Sequence, residues 1–111
     1  MTQNIVTKTC KQWGVSYEDV ISPSRRQHIV FARVMIAKFL RQFEKLSYKK
    51  IGGIINRNHS CVIRYMGIFD SECRFNDTFR NFAKSLELDL ENDNKEAFAL
   101  EIEAEFNEIV N

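Results

Sequence analysis

The chain has 111 residues, 44% of them hydrophobic, which suffices for one modest core and one domain. No apolar run approaches the ~20 residues needed to cross a bilayer, and the segment Met1 to Lys11 lacks the basic-then-apolar pattern of a signal peptide, so a cytosolic protein is expected. Three cysteines, Cys10, Cys61 and Cys73, make neither a CxxC pair nor an even disulfide framework and read as reduced thiols.

The net charge of +1 conceals a strong asymmetry. Up to Phe69 there are twelve Lys and Arg against three acidic residues, a balance of +9; from Asp70 onward there are four against twelve, a balance of −8. A solvated helical face explains lysines taken singly. A basic segment followed by an acidic one also fits a nucleic-acid-binding face with an acidic tail.

One proline, four glycines and little alternating polarity predict an all-α protein, a helical bundle. In chain order, Ile5 or Val6, Cys10 and Trp13 form the apolar stripe of an opening helix that Gly14 terminates. Ser16 and Asp19 make a capping box for a short helix through Ile21. Ser22-Pro23 restarts the chain, and a long central helix from about Ser24 to Glu44 aligns Ile29, Ala32, Ile36, Phe39, Leu40 and Phe43. Arg26, Arg33 and Arg41 fall on its other side, expected to face solvent, with Arg25 at its N-terminal end.

Ser47 caps a helix from Tyr48 to Ile55, and Asn58 caps the next, in which Val62, Tyr65, Met66 and Phe69 recur at helical spacing. Two helices separated by about three residues make a helix-turn-helix, with the second helix presenting its first turn to the major groove. Gly52 and Gly53 are expected where these helices cross closely. Phe79, Phe82 and Leu86 predict another helix from about Asp77, whose apolar face closes the core. The run from Leu88 to Asp93 reads as a linker, with Asn94 capping a last helix striped by Phe98, Ile102, Phe106 and Ile109. The expected division is therefore residues 1–86 as the helix-turn-helix domain and 87–111 as an acidic linker and C-terminal helix, the latter a surface for a homodimer or a protein partner.

Ser24-Arg25-Arg26, Ala32-Arg33, Leu46-Ser47-Tyr48-Lys49-Lys50-Ile51-Gly52 and Arg57-Asn58-His59-Ser60-Cys61-Val62 together resemble the C-terminal DNA-binding domain of the DnaA replication initiator, of the Trp-repressor helix-turn-helix type. The resemblance runs from about Ile5 to Leu86. It implies binding of double-stranded DNA with sequence preference, in replication initiation or its regulation, by a nucleoid-associated cytoplasmic protein. By the same resemblance Arg25 enters the minor groove and Asn58, His59 and Ser60 read bases in the major groove. Phosphate contacts fall to Arg26, Arg33, Arg41, Lys45, Lys49, Arg57 and Cys61.

Three positions depart from the family: Asn58 stands for an acidic residue, Cys61 for a threonine, and the turn is one residue shorter than usual. There is no G-x-x-x-x-G-K-S/T phosphate loop, so ATP-driven origin melting is not expected of these residues alone. No cofactor is implied. Zinc is disfavoured because His59 and Cys61, two apart on a helix, face different ways, and an enzyme is disfavoured because His28 and His59 have no nucleophile and orienting group beside them. A transcriptional regulator, or an interaction module acting through the acidic C-terminal helix, remain the alternatives.

Overall fold

A computed structural model describes the backbone of residues 2–110 and the side chains of residues 2–93. Six helices follow in order: α1 (Thr2–Trp13), α2 (Tyr17–Ile21), α3 (Gln27–Phe43), α4 (Tyr48–Ile55), α5 (His59–Phe75) and α6 (Asp77–Val110). The fold is all-α. None of the described helices is long and apolar enough to cross a membrane.

The helix ends follow from local chemistry. Gly14 adopts φ 67° after α1, a conformation that costs glycine nothing. The Ser16 hydroxyl accepts from the Asp19 amide while the Asp19 carboxylate accepts from the Ser16 amide, a complete capping box. Ser47 accepts from the Lys50 amide at α4, and Asn58 from the Cys61 amide at α5. Asn76 ends α5 and starts α6, its Oδ1 accepting from the Phe79 amide at 3.1 Å.

α3 is the axis of the molecule. Every residue from Phe31 to Ala37 is buried, because α1, α2, α4, α5 and α6 all pack around it. A helix enclosed on all sides has no solvent face in its middle, so the exposed position expected for Arg33 does not exist: this residue is 2% exposed. Trp13, Phe31, Phe39, Phe69, Phe79 and Phe82 join α1, α3, α5 and α6 in a chain of edge-to-face and tilted rings at centroid separations of 4.8–5.9 Å. Each such pair adds roughly 0.5–1.5 kcal/mol beyond the area it buries.

The linker expected after Leu86 is instead helix. α6 runs unbroken through residues 88–93, and the expected domain boundary falls inside it. The physical reason is packing on α1 and α3. Leu90 is fully buried, Gln42 donates to Glu87, Gln12 donates to the Phe82 carbonyl, and Asp93 accepts from both Asn4 (2.8 Å) and Lys8 (2.6 Å). Four acidic residues between Glu87 and Asp93 made this segment look solvated, but two of them, Asp89 and Asp93, pair with Lys8. The stripe of Phe98, Ile102, Phe106 and Ile109, and the cap at Asn94, lie outside the described side chains.

Only one member of the glycine pair is required by the turn. A Cβ on Gly52 would overlap the Arg57 carbonyl oxygen, whereas one on Gly53 would meet nothing within 4 Å. Gly52→Ala is therefore expected to cost about 2–3 kcal/mol by overpacking, and Gly53→Ala to stabilise by up to about 1 kcal/mol through helix propensity. Denaturant midpoints of the two variants measure this difference of sign.

The Lys8 hydrogen bond, then that of Asn4, holds the Asp93 carboxyl below its ordinary range; Asp93, then Asp89, hold Lys8 above its own. The carboxylate's contribution is complete above an unfolded value of about 3.9 and is lost as pH falls through the lower folded value. The ammonium's is complete below about 10.4 and is lost as pH rises through the raised folded value. Amide protection in residues 82–93 should exceed that of a Lys8→Ala variant between these limits. The two proteins should converge well below pH 3.9 and well above pH 10.4.

Candidate nucleic-acid interface

The helix-turn-helix consists of α4, the turn Asn56-Arg57-Asn58, and α5. Asn56 ends α4 in the left-handed conformation (φ 57°, ψ 51°), which asparagine tolerates better than most residues. The Arg57 amide then returns to the Gly52 carbonyl at 2.9 Å, which is why the Arg57 carbonyl lies where a Gly52 side chain would be. Asn58, extended at φ −73° and ψ 163°, starts α5 and caps it with Oδ1 at 2.8 Å from the Cys61 nitrogen. His59 and Ser60 are exposed in this first turn, as is Asn58 itself.

Beside it lies the connection from α2 to α3, which carries Arg25 and Arg26. This segment is non-helical, and α3 begins at Gln27, three residues later than expected. Arg33 holds it from beneath. Its Nε donates to the Val20 carbonyl (2.6 Å), Nη1 to Ser24 (2.7 Å), and Nη2 to Ser22 (2.7 Å) and Asp19 (3.2 Å). Asp19 and Val20 end α2, where carbonyls have no helical partner and the dipole is negative, so a guanidinium is well placed there. Burial, then the neighbouring Arg57 charge, pulls the Arg33 pKa down, yet guanidinium starts so high that it remains protonated. Arg33 thus spends its donors inside the protein, which corrects its assignment as a phosphate contact.

The turn is fastened to the same segment. Arg57 Nη2 donates to the Ser22 carbonyl at 2.7 Å, Asn56 Nδ2 to that of Ile21 at 3.0 Å, and the Tyr17 hydroxyl to that of Ile54 at 2.6 Å. Arg25 therefore projects from a strip of backbone pinned to both the core and the turn.

Between this strip and α5 is an open groove of about 1060 Å³. Pro23, Ser24 and Arg25 form one wall; Asn58, Ser60, Cys61 and Arg64 form the other, with Val30, Arg33, Arg57, Tyr65 and Ile68 also lining it. Arg25, Arg57, Asn58, Ser60 and Cys61 are thus brought together on one groove. His59 is exposed outside that lining. Cys61 is half-buried, its amide taken by the Asn58 cap and its Sγ 3.9 Å from Arg64 Nη2. Burial raises the pKa of the neighbouring Tyr65 phenol, followed by the effect of Cys61.

A second basic area surrounds the α3–α4 connection. Arg41 lies over the Tyr48 ring, 4.5 Å from its centroid, and donates to the Leu46 carbonyl at 2.9 Å. Lys45 is exposed at φ 54°, and Lys49 and Lys50 are exposed in the first turn of α4. Arg26, at the α3 N-cap, makes no side-chain cap bond and is exposed.

Sequence reasoning missed Arg64. Its signal was periodicity: four residues after Ser60, it falls on the same helical face one turn along. Among the described residues it has no carboxylate partner.

A capped helix entered by a tight three-residue turn, with a basic strip locked beside its first turn, defines the chain as a helix-turn-helix protein. Residues 2–67 match the family described as "Bacterial dnaA protein helix-turn-helix", and the chain belongs to that family. Among similar proteins are the chromosomal replication initiator protein DnaA 1 of Chlamydia trachomatis, 41% identical over 59 residues, which are 53% of this chain and 13% of that protein, and DnaA of Desulfatibacillum aliphaticivorans, 31% identical over 81 residues, 72% and 18%. DnaA 1 of Chlamydia pneumoniae is 31% identical over 72 residues, 65% of this chain and 16% of the initiator. The chain spans less than one fifth of the length of these relatives.

Arg33→Met should destabilise the fold by at least about 3 kcal/mol, since one buried and three part-buried carbonyls lose a donor, at about 1–3 kcal/mol for each left unsatisfied. Arg33→Lys should recover only part of this, because a single ammonium lacks the guanidinium's planar fork. A shift in the urea midpoint equivalent to under about 1 kcal/mol would mean that water serves those carbonyls as well.

Proposed function

We propose that the chain binds double-stranded DNA with sequence preference, in the initiation of replication or its regulation. The observation carrying this reading is the pinned placement of Arg25 beside the first turn of α5, with a cation-lined groove between them. An N-terminal first turn of a recognition helix reads base edges in the major groove. A guanidinium held to one side suits the adjacent minor groove, where electronegative potential attracts arginine. The groove then straddles the phosphodiester strand separating the two. The proposed activity is binding, without a catalytic step.

Asn58, His59 and Ser60 read bases in this proposal. One lone pair of Asn58 Oδ1 is taken by the cap, which leaves Nδ2 as the free end. That amide donor matches an acceptor such as guanine O6 or N7, adenine N7 or thymine O4, and the second lone pair of Oδ1 can still accept from a base donor such as adenine N6. Arg26, Arg41, Lys45, Lys49, Arg57 and Arg64 contact phosphates; Cys61 has only its thiol left to offer. Replacement of the family's acidic residue by Asn58 makes the preferred sequence of this chain its own.

Selection from a random pool of duplexes, with affinities then measured at two salt concentrations, tests the proposal. Enrichment of a defined sequence is expected, with Arg25→Ala and His59→Ala each weakening the selected duplex by about 1–3 kcal/mol. Lys45→Ala should weaken all duplexes alike and reduce the logarithmic salt slope by about 0.9. Absence of enrichment would sink sequence preference, and unchanged binding by both base-contact variants would sink the assigned site.

A further inference from the structure

We infer that Ile63 is a base-reading residue that packs against the 5-methyl group of a thymine in the major groove. The inference rests on the DNA-binding reading above and adds a specificity determinant to it. On α5, successive side chains rotate by roughly 100°. Val62, Tyr65 and Phe69 are buried and fix the direction of the core. Ser60, Ile63, Arg64 and Gly67 are exposed on the opposite side. Ile63 stands one turn beyond His59 and Ser60, between their directions, with 49% of its surface exposed.

Two further observations distinguish it from an incidental surface hydrophobe. Among the described residues the other large exposed hydrophobics lie elsewhere: Tyr17, whose hydroxyl is bonded to Ile54, Phe75 at the end of α5, and Leu88 on α6. The surroundings of Ile63 also suit a polyanion. No acidic residue occurs in α5 before Asp70, Arg64 adjoins Ile63 without a carboxylate partner among the described residues, and the space at Gly67, one turn further on, is open for 4 Å around a would-be Cβ. A duplex edge can therefore approach Ile63 closely. The apolar feature of that edge is the thymine methyl, which cytosine and the purines lack.

The test uses the full chain and the duplex recovered by selection, with uracil replacing thymine at one position at a time so that only a methyl group is lost. Wild type should bind one or two uracil duplexes about fourfold more weakly, as expected for one buried methyl group. Ile63→Ala should bind the parent duplex more weakly and lose that discrimination at the same position, while Ile63→Val retains it. Circular dichroism should show both variants folded, because the side chain contributes little to the core.

Ile63→Ala retaining the full uracil penalty at every position would overturn the inference, as would a wild type indifferent to uracil throughout. In both cases selective DNA binding would stand. Failure of wild type to prefer any duplex would overturn the DNA-binding reading and this inference together.

Discussion

One buried guanidinium sets the geometry on which the rest of the surface depends. Arg33 projects from the enclosed middle of α3 and donates to carbonyls of Asp19, Val20, Ser22 and Ser24, so the end of α2 and the strip bearing Arg25 are held to the axis of the core. Because Arg57 and Asn56 donate from the helix-turn-helix to Ser22 and Ile21 of the same strip, the strip and recognition helix share one frame. Their relative position is paid for during folding and need not be ordered again when a ligand binds. A cation that a surface reading assigns to DNA instead holds the strip that carries Arg25.

The charge asymmetry has a related explanation. The exposed Arg25, Arg26, Lys45, Lys49, Lys50 and Arg64 lie in or beside the helix-turn-helix and the strip, whereas the acidic residues Asp89 and Asp93 of α6 engage Lys8 of α1. Pairing there, together with burial of Leu90, makes the segment after Leu86 part of the packed structure. Acidic composition alone suggested a solvated linker, but a few well-placed contacts with α1 and α3 are sufficient to continue the helix.

Membership of the DnaA helix-turn-helix family defines a scaffold, and in the proposed reading the residues in the first turn of α5 set its base preference. Asn58 caps the helix, and in the proposed reading it also presents its amide nitrogen to a base. An aspartate at this position would cap equally well, yet its remaining oxygen would seek a donor on the base. On that proposal the same architecture would support a different base preference without a change in backbone. Ile63 and Arg64 extend the outward face of α5 by another turn, one apolar and one cationic, beyond the polar residues that first marked it.

Local hydrogen bonding made most of the helix boundaries legible in the sequence. Ser16 with Asp19, Ser47, and Asn58 each cap within three residues, and Gly14 ends α1 through its own φ, so neighbouring residues suffice to specify them. The family motif likewise lies in contiguous blocks, and the amphipathic periods gave the all-α bundle. Burial of Arg33, the need for Gly52 but not Gly53, continuity of α6, and convergence of Arg25 with Arg64 on one groove were decided only by tertiary structure. Each depends on groups distant along the chain or on the space a neighbouring element leaves, and neither residue type nor periodicity encodes that distance directly.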